Sequence, residues 1–424
     1  MKLLIKGGRV IDPANNLDGV LDILVENGKI FRIAKGIEDR VDRVIDARDK
    51  IVMPGLIDMH AHLRQPGRED KETVASGTAA ALKGGVTSCL AMPNTEPAID
   101  CVENVELLKS IIKKSAQINV FPAAAITRGR LGKELVDIAG LEKHGVVAIT
   151  DDGASVDDDK LMLSALKKAK EENVLVICHC EDKVLSQGGV VNFGFTSTRL
   201  GLRGIPKESE YRRVARDIEL ARKANARVHI AHLSCGESVE LVASAKKKGL
   251  KVTAETAPHY FSLNEEAVLG FDTNMKINPP LRSKNDMISI RQGLKEGVID
   301  VIASDHAPHT ECEKAIEFER AEFGVIGLET ELSAAITELI KPGLLSWPEL
   351  VNRMAYKPAK ILGINKGTLS IGAQADIIVI SEQKEWVVQK ESLISKSKNS
   401  CFLNKKLKGI VECTIFKGKI VYKK

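Results

Sequence analysis

The stretch Asp58-Met59-His60-Ala61-His62-Leu63-Arg64 holds the first residues whose types and spacing point to chemistry. If the apolar run before it is a strand, residues two apart share a face, so His60 and His62 present two imidazoles together at its end. A close pair of this kind favours a metal over two unrelated structural histidines. More donors stand at the ends of later apolar runs: His179 after VLVIC, His232 in RVHIAHL and Asp305 in DVIASDH. Singly, each has an ordinary alternative: His179 a core histidine, His232 a polar residue near a helix, Asp305 a helix cap before His306 and Pro308. Jointly they bring four of the nine histidines to equivalent points of successive units. Four histidines and an aspartate exceed the three protein ligands usual for one catalytic zinc, so a binuclear site is expected. Two metals about 3.5 to 4 Å apart need a bridging group, and Thr150-Asp151-Asp152-Gly153 offers a carboxylate. Alternation lets one of Asp151 and Asp152 face the site and does not choose between them. His144 reads as a solvated loop residue, and His229, an odd number of positions from His232, as structural.

These donors need a scaffold that brings distant strand ends together. Eight apolar runs rich in Val and Ile, each followed by a turn and a helical pattern, occupy 52–60, 86–92, 118–126, 146–152, 174–180, 227–233, 251–257 and 300–306. Eight parallel strands predict a closed (β/α)8 barrel, which places catalytic groups at the C-terminal strand ends. An open doubly wound sheet is the alternative on counting alone. Both chain ends carry short alternating strands with tight turns, as in Asn27-Gly28-Lys29, in ADIIVI and in TIFKGKIVYK. The expected division is a small β-sandwich built from 1–51 and 367–424 around a barrel of 52–366, the alternative being two unrelated terminal extensions.

Composition narrows the classes. The 424 residues are 44% hydrophobic and 28% charged, which excludes disorder and leaves a globular chain with room for a large core. The net charge of +5 comes from interspersed Lys, Arg, Asp and Glu, so nucleic acid is not expected as a partner. No apolar stretch approaches the roughly 20 residues that cross a bilayer. Lys6 and Arg9 interrupt the first apolar run, which reads as a strand and not as a leader. Eight scattered cysteines without a CxxC pair argue against thiolate zinc sites and for a reducing, cytoplasmic setting.

The motifs resemble the amidohydrolase superfamily, most closely the type I dihydroorotases. The matching stretches are PGLIDMHAHLRQPG, AMPNT, ITDDG, HCED, GIPKESEYRRVARDIELA, HIAHLS, ETAPHY, KINPPLR, SDHAPH and GTLSIGAQADIIVI, which run nearly end to end. The resemblance implies zinc-dependent, reversible hydrolysis of dihydroorotate to N-carbamoyl-aspartate, the third step of pyrimidine synthesis. It implies that His60 and His62 bind one zinc, His179 and His232 a second, that Asp152 bridges them, and that Asp305 touches the first zinc and acts as catalytic acid and base. Arg64 and Asn94 then hold the substrate carboxylate with help from His309. Asn278 contacts the ring, Phe323 and Gly324 do so through their backbone, and His62 and Leu63 join the substrate-contacting run. Relatives form dimers, and some associate with aspartate transcarbamoylase. Hydantoinases, dihydropyrimidinases and allantoinases are the neighbouring alternative, but they commonly bridge their metals with a carboxylated lysine, and GVVAITDDG holds none. A scaffold homologue without activity is the reading from another class, and the intact ligand set speaks against it. Cys401 and Asn404 depart from the Pro and Gly often found there. The segment 310–322 is expected to cover the site as a loop.

Overall fold

The computed structural model describes residues 2–424. Eight strands lie side by side in chain order, all parallel: β1 Leu56–Ala61, β2 Val86–Ala91, β3 Asn119–Ala124, β4 Ala148–Ile149, β5 Leu175–Cys178, β6 Val228–Ile230, β7 Val252–Thr256 and β8 Val301–Ile302. The ring closes beyond β8, where Ala61 bridges His306 in parallel and the His62 N–H donates to the His306 carbonyl at 2.8 Å. This is the expected barrel, and closure sets the open sheet aside. The ladders are shorter than the apolar runs: His60 is still within β1, while His62, Asp152, His179, His232 and Asp305 stand one to three residues past their strand ends.

Two apolar layers hold the barrel. Ile57, Met59, Leu90, Ala123, Ala148, Leu175, Ile177, Ala231, Val301 and Ala303 fill its interior, with Ala359 and Leu362 of the helix Lys357–Leu362 packed against them. The opposite strand faces, including Val86, Cys89, Ile149, Val176, Val228 and Ile302, pack on the surrounding helices. Strands buried on both faces read as continuous apolar runs, which is how these eight stood out.

The run 52–60, taken as one barrel strand, divides in two. Ile51–Pro54 pairs with Arg9–Val10 and with Ile377–Ile380 in a second sheet, and β1 begins only after Gly55. A Cβ at Gly55 would lie 2.2 Å from Thr87 Oγ1, so only glycine lets the chain cross so close to β2. The second sheet joins both chain ends: Lys2–Asp12, Leu17–Glu26, Lys29–Ala34 and Arg43–Asp46 with Ile377–Val387, Lys406–Phe416 and Lys419–Lys423. A bulge at Lys6-Gly7, opposite Asp22, shifts the alternation of its first strand. Val10 thereby joins Leu3 and Ile5 in the sheet's own core, while Ile11 turns to the barrel core. The sheet's other side, through Ile378, Ile380 and Val411, covers the barrel helix Val74–Gly84.

Candidate active site

Each donor reaches the C-terminal mouth of the barrel by its own backbone device. On β1, Asp58 is opposite Cys89 but Ala61 is opposite Ala91, so one extra residue is bulged between them. Met59 can thus fill the barrel interior while His60 and His62 both face the mouth. On β4, Ala148 points inward, and continuing that parity brings Asp152, not Asp151, to the centre. Asp151 instead accepts the Ile126 and Thr127 N–H groups at 2.8 and 3.0 Å, pinning the end of β3. His179 continues the inward parity of Leu175 and Ile177 on β5. His232 and Asp305 have φ values of 33° and 48°, left-handed conformations that turn them off their strand ends into the mouth. That twist also corrects the alternation argument on β6: His229 and His232 both face inward despite their odd spacing.

The six side chains form one buried cluster. His60 Nε2 lies 3.4 Å from Asp152 Oδ1 and 3.6 Å from Asp305 Oδ1; His62 Nε2 lies 3.5 Å from both Asp152 Oδ2 and Asp305 Oδ1. His179 Nδ1 is 3.3 Å and His232 Nε2 is 3.5 Å from Asp152 Oδ1, and the two rings approach to 2.8 Å. Most of these separations are long for hydrogen bonds. A tetrahedral ion about 2.0 to 2.1 Å from each ligand atom would separate those atoms by about 3.3 to 3.4 Å. His60 Nε2 and Asp152 Oδ1 are buried without a hydrogen-bond partner among the described residues, a costly state that a cation would relieve. His60, Asp152 and His232 offer ligand atoms within 4.8 Å of one another, and so do His60, His62 and Asp305. The donor set fits a metal centre.

The charges agree. Burial pushes the Asp152 carboxyl up, but His60, His179 and His232 outweigh it and hold it well below the usual range. Asp305 is likewise raised by burial and lowered further by His60, His62 and His232. Burial lowers the His179 imidazole, yet Asp152 and Glu181 lift it to about 10. Protons on imidazoles thus sit where cations would.

Several supporting roles escaped the sequence reading. Glu255 on β7 is fully buried and accepts from His60 Nδ1 at 2.7 Å and from His229 Nε2 at 3.2 Å. This leaves the His60 Nε2 lone pair for the cluster. Asn94 Oδ1 does the same for His62, accepting from Nδ1 at 2.7 Å. Glu181 Oε2 accepts from His179 Nε2 and from Asn278 Nδ2, both at 3.2 Å. Asp58 accepts the His60 and Ser304 N–H groups at 2.9 and 3.2 Å, tying β1 to the end of β8. Glu255 had left a signal, since a carboxylate in the middle of a buried strand is rare without a partner.

A second group gathers beside the cluster. Arg64, with φ 59°, donates through Nε to the Pro308 carbonyl at 3.1 Å, and its Nη2 lies 3.3 Å from His309 Nε2. Asn94 and Asn278 stand half-buried on the cluster's flanks. The Leu63 side chain turns into the barrel core against Gly77. Gly324 uses its backbone internally, its N–H on the Lys276 carbonyl and its carbonyl on Lys314 Nζ and Asn399 Nδ2. The segment 310–322 opens with a short helix, Glu311–Lys314, capped by Thr310, and continues as turns and irregular backbone, with Glu313 accepting from Arg68 at 2.8 Å. His144 caps the helix Ile138–Lys143, its ring 2.7 Å from the Gly140 carbonyl.

Comparison with known proteins agrees with this arrangement. A family described as dihydro-orotase-like matches residues 49–238. A dihydroorotase of Elusimicrobium minutum (strain Pei191) is 50% identical over 420 residues, 99% of this chain and 97% of that protein. A dihydroorotase of Geobacter metallireducens is 49% identical over 425 residues, covering 100% of each. Among solved structures, the L-hydantoinase (dihydropyrimidinase) from Arthrobacter aurescens superposes with a TM-score of 0.91 at 25% identity, over 100% of this chain and 96% of that one. The dihydropyrimidinase from Brevibacillus agri NCHU1002 shares the fold, with a TM-score of 0.88 at 24% identity over 100% and 95% of the two chains. With identity near one half along its whole length and a metal-type cluster at the barrel mouth, the chain belongs to the dihydroorotase family of cyclic amidohydrolases.

Proposed function

We propose that this chain catalyses the reversible, zinc-dependent hydrolysis of (S)-dihydroorotate to N-carbamoyl-L-aspartate. The observation that carries the reading is the placement of Arg64, paired with His309, two residues beyond His62 and close enough to the buried cluster that the charges of Asp305 and Asp152 act on its guanidinium. A planar guanidinium and an amide suit a carboxylate on a cyclic ureide, which hydantoin and dihydrouracil lack. Asp152, where relatives acting on those rings commonly use a modified lysine, supports the same choice.

Two zinc ions would be held by His60, His62 and Asp305 on one side and by His179 and His232 on the other, with Asp152 between them. Zinc in such a centre lowers the pKa of water and polarises a carbonyl. The protein's own residues do the rest. Glu255, Asn94 and Glu181 fix which nitrogen of His60, His62 and His179 faces the centre. Asp305, kept ionised by the neighbouring histidines, takes a proton from the attacking water and delivers it to the ring nitrogen as the amide C–N bond breaks. In ring closure the same carboxyl removes the proton from that nitrogen. Arg64, Asn94 and His309 anchor the carboxylate so that the scissile amide meets Asp305. Asn278 contacts the ring. Because Gly324 has its own backbone groups engaged, the backbone contact from this segment falls to Phe323; at the β1 end, where the Leu63 carbonyl accepts the Gln65 N–H, it falls to the Leu63 N–H.

Turnover of dihydroorotate by the purified, zinc-loaded protein, compared with hydantoin, dihydrouracil and allantoin, tests the assignment. Preference for any of the last three overturns it, and metal analysis beside activity gives the number of zinc ions. No helix among the described residues is long and apolar enough to cross a membrane, and none of the eight cysteines is paired, which fits a cytoplasmic enzyme. Assembly as a homodimer, or with aspartate transcarbamoylase, is tested by sedimentation of the protein alone and of the mixture.

A further inference from the structure

We infer that Lys71 is a positioning residue that sets the tautomer of His309, keeping Nδ1 as an acceptor so that Nε2–H is presented to the substrate carboxylate beside Arg64. The inference rests on the proposed function for the identity of the anion, and on the geometry behind His309 for the rest.

His309 is buried, and both its nitrogens face cationic donors. Nε2 lies 3.3 Å from Arg64 Nη2, and Nδ1 lies 3.2 Å from Lys71 Nζ. Burial and the positive charges of Arg64, Lys71 and Lys314 hold the imidazole down at about 2, so the ring is neutral and carries one N–H. A neutral imidazole accepts at one nitrogen only. The question is which donor it answers.

Lys71 decides it. This lysine is 5% exposed, and its ammonium lies 2.9 Å from Glu313 Oε1 and next to His309 Nδ1, with no other acceptor among the described residues. A proton on Nδ1 would point at that ammonium. Its one alternative acceptor, Glu313 Oε2, is 3.5 Å away, at the limit of a hydrogen bond, and already accepts the Thr310 N–H at 3.0 Å. A lone pair on Nδ1 meets the ammonium favourably, so the ring proton goes to Nε2.

Nε2–H then faces an Arg64 N–H with no protein acceptor between them. Two donors pointing at one place, with the Arg64 Nε proton already spent on Pro308, describe a receptor for an oxygen anion. The His309 backbone is held in turn, its N–H donating to Asn399 Oδ1 at 3.1 Å. Lys71 never touches the substrate. It converts a histidine that would otherwise accept from Arg64 into a second donor for the carboxylate, and so sharpens the choice of a carboxylate-bearing ring over one without it.

The test reads the tautomer directly. In zinc-loaded protein carrying 15N-labelled histidine, with the His309 signals identified by their loss in His309→Asn, the wild type is expected to show a protonated Nε2 and a bare Nδ1. Lys71→Met is expected to shift the proton toward Nδ1 and to raise KM for dihydroorotate on the order of tenfold, with kcat within about twofold. Glu313→Gln breaks the ion pair but leaves the ammonium, so it should keep the Nε2 proton. If Lys71 serves only to hold the 310–322 segment through Glu313, the two variants will behave alike, and the inference falls. It also falls if the wild type carries its proton on Nδ1, a measurement that needs no variant to fold. A protein that turns over another ring and not dihydroorotate overturns the proposed function, while the tautomer, read without substrate, still judges Lys71.

Discussion

The terminal sheet and the barrel mouth both bury carboxylates, and they treat them differently. In the sheet, Asp12 accepts the Ala14 and Leu369 N–H groups at 3.1 and 2.7 Å, and Asp22 accepts those of Gly7 and Ile37 at 2.7 and 2.8 Å. Around them Leu3, Ile5, Ile23, Val52, Ile377 and Ile415 are wholly buried. At the mouth, Asp152 keeps an oxygen and His60 a nitrogen without a partner, and Arg64, His232 and Asp305 hold left-handed backbone. A carboxylate with both oxygens answered stabilises a fold; one left short keeps its affinity for something that arrives later. The sheet is built for stability and the mouth for binding.

That contrast can be broken most sharply at Asp305. Asp305→Asn is expected to lower turnover by about 10²- to 10⁴-fold while thermal unfolding stays near that of the wild type; turnover close to normal would remove the acid–base role. A step further out, Glu255→Gln weakens the hold on His60, and zinc affinity measured by chelator competition should fall about 10- to 100-fold. Unchanged affinity would mean that His60 needs no outer support. The protons held by the metal-free cluster give a third test. With His179 at about 10 and His60 also raised, zinc binding at pH 8 displaces protons, so the metal-stripped protein should acidify a weak buffer on zinc addition. The sign follows: affinity rises with pH, and zinc is lost as the pH falls. Absence of proton release would show the imidazoles already neutral. The smallest effect on activity belongs to the sheet, where Ile377→Ala should cost about 2 to 5 kcal/mol in denaturant unfolding and leave turnover per folded molecule intact. A loss of turnover there would join the two regions that the comparison separates.

The eight apolar runs were legible because strands covered on both faces need apolar residues at every position, which is a local pattern. His60, His62, His179, His232 and Asp305 were legible because donors at the ends of such runs stand out in sequence. The run 52–60 was misread as one strand because its division depends on Gly55 crossing β2, a contact with Thr87 that lies outside any local window. Parity on β6 misled for a similar reason, since one left-handed residue reverses the face.

What the sequence determines by itself is the set of side chains and the period on which they recur, for these follow from local steric and hydrophobic rules. Tertiary structure alone decided which of them meet. Glu255 reaches His60 across 195 residues, Arg64 reaches His309 across 245 and Lys71 reaches it across 238. A hydrogen bond over such separations has no trace in periodicity, because it exists only once barrel closure has brought the strand ends together.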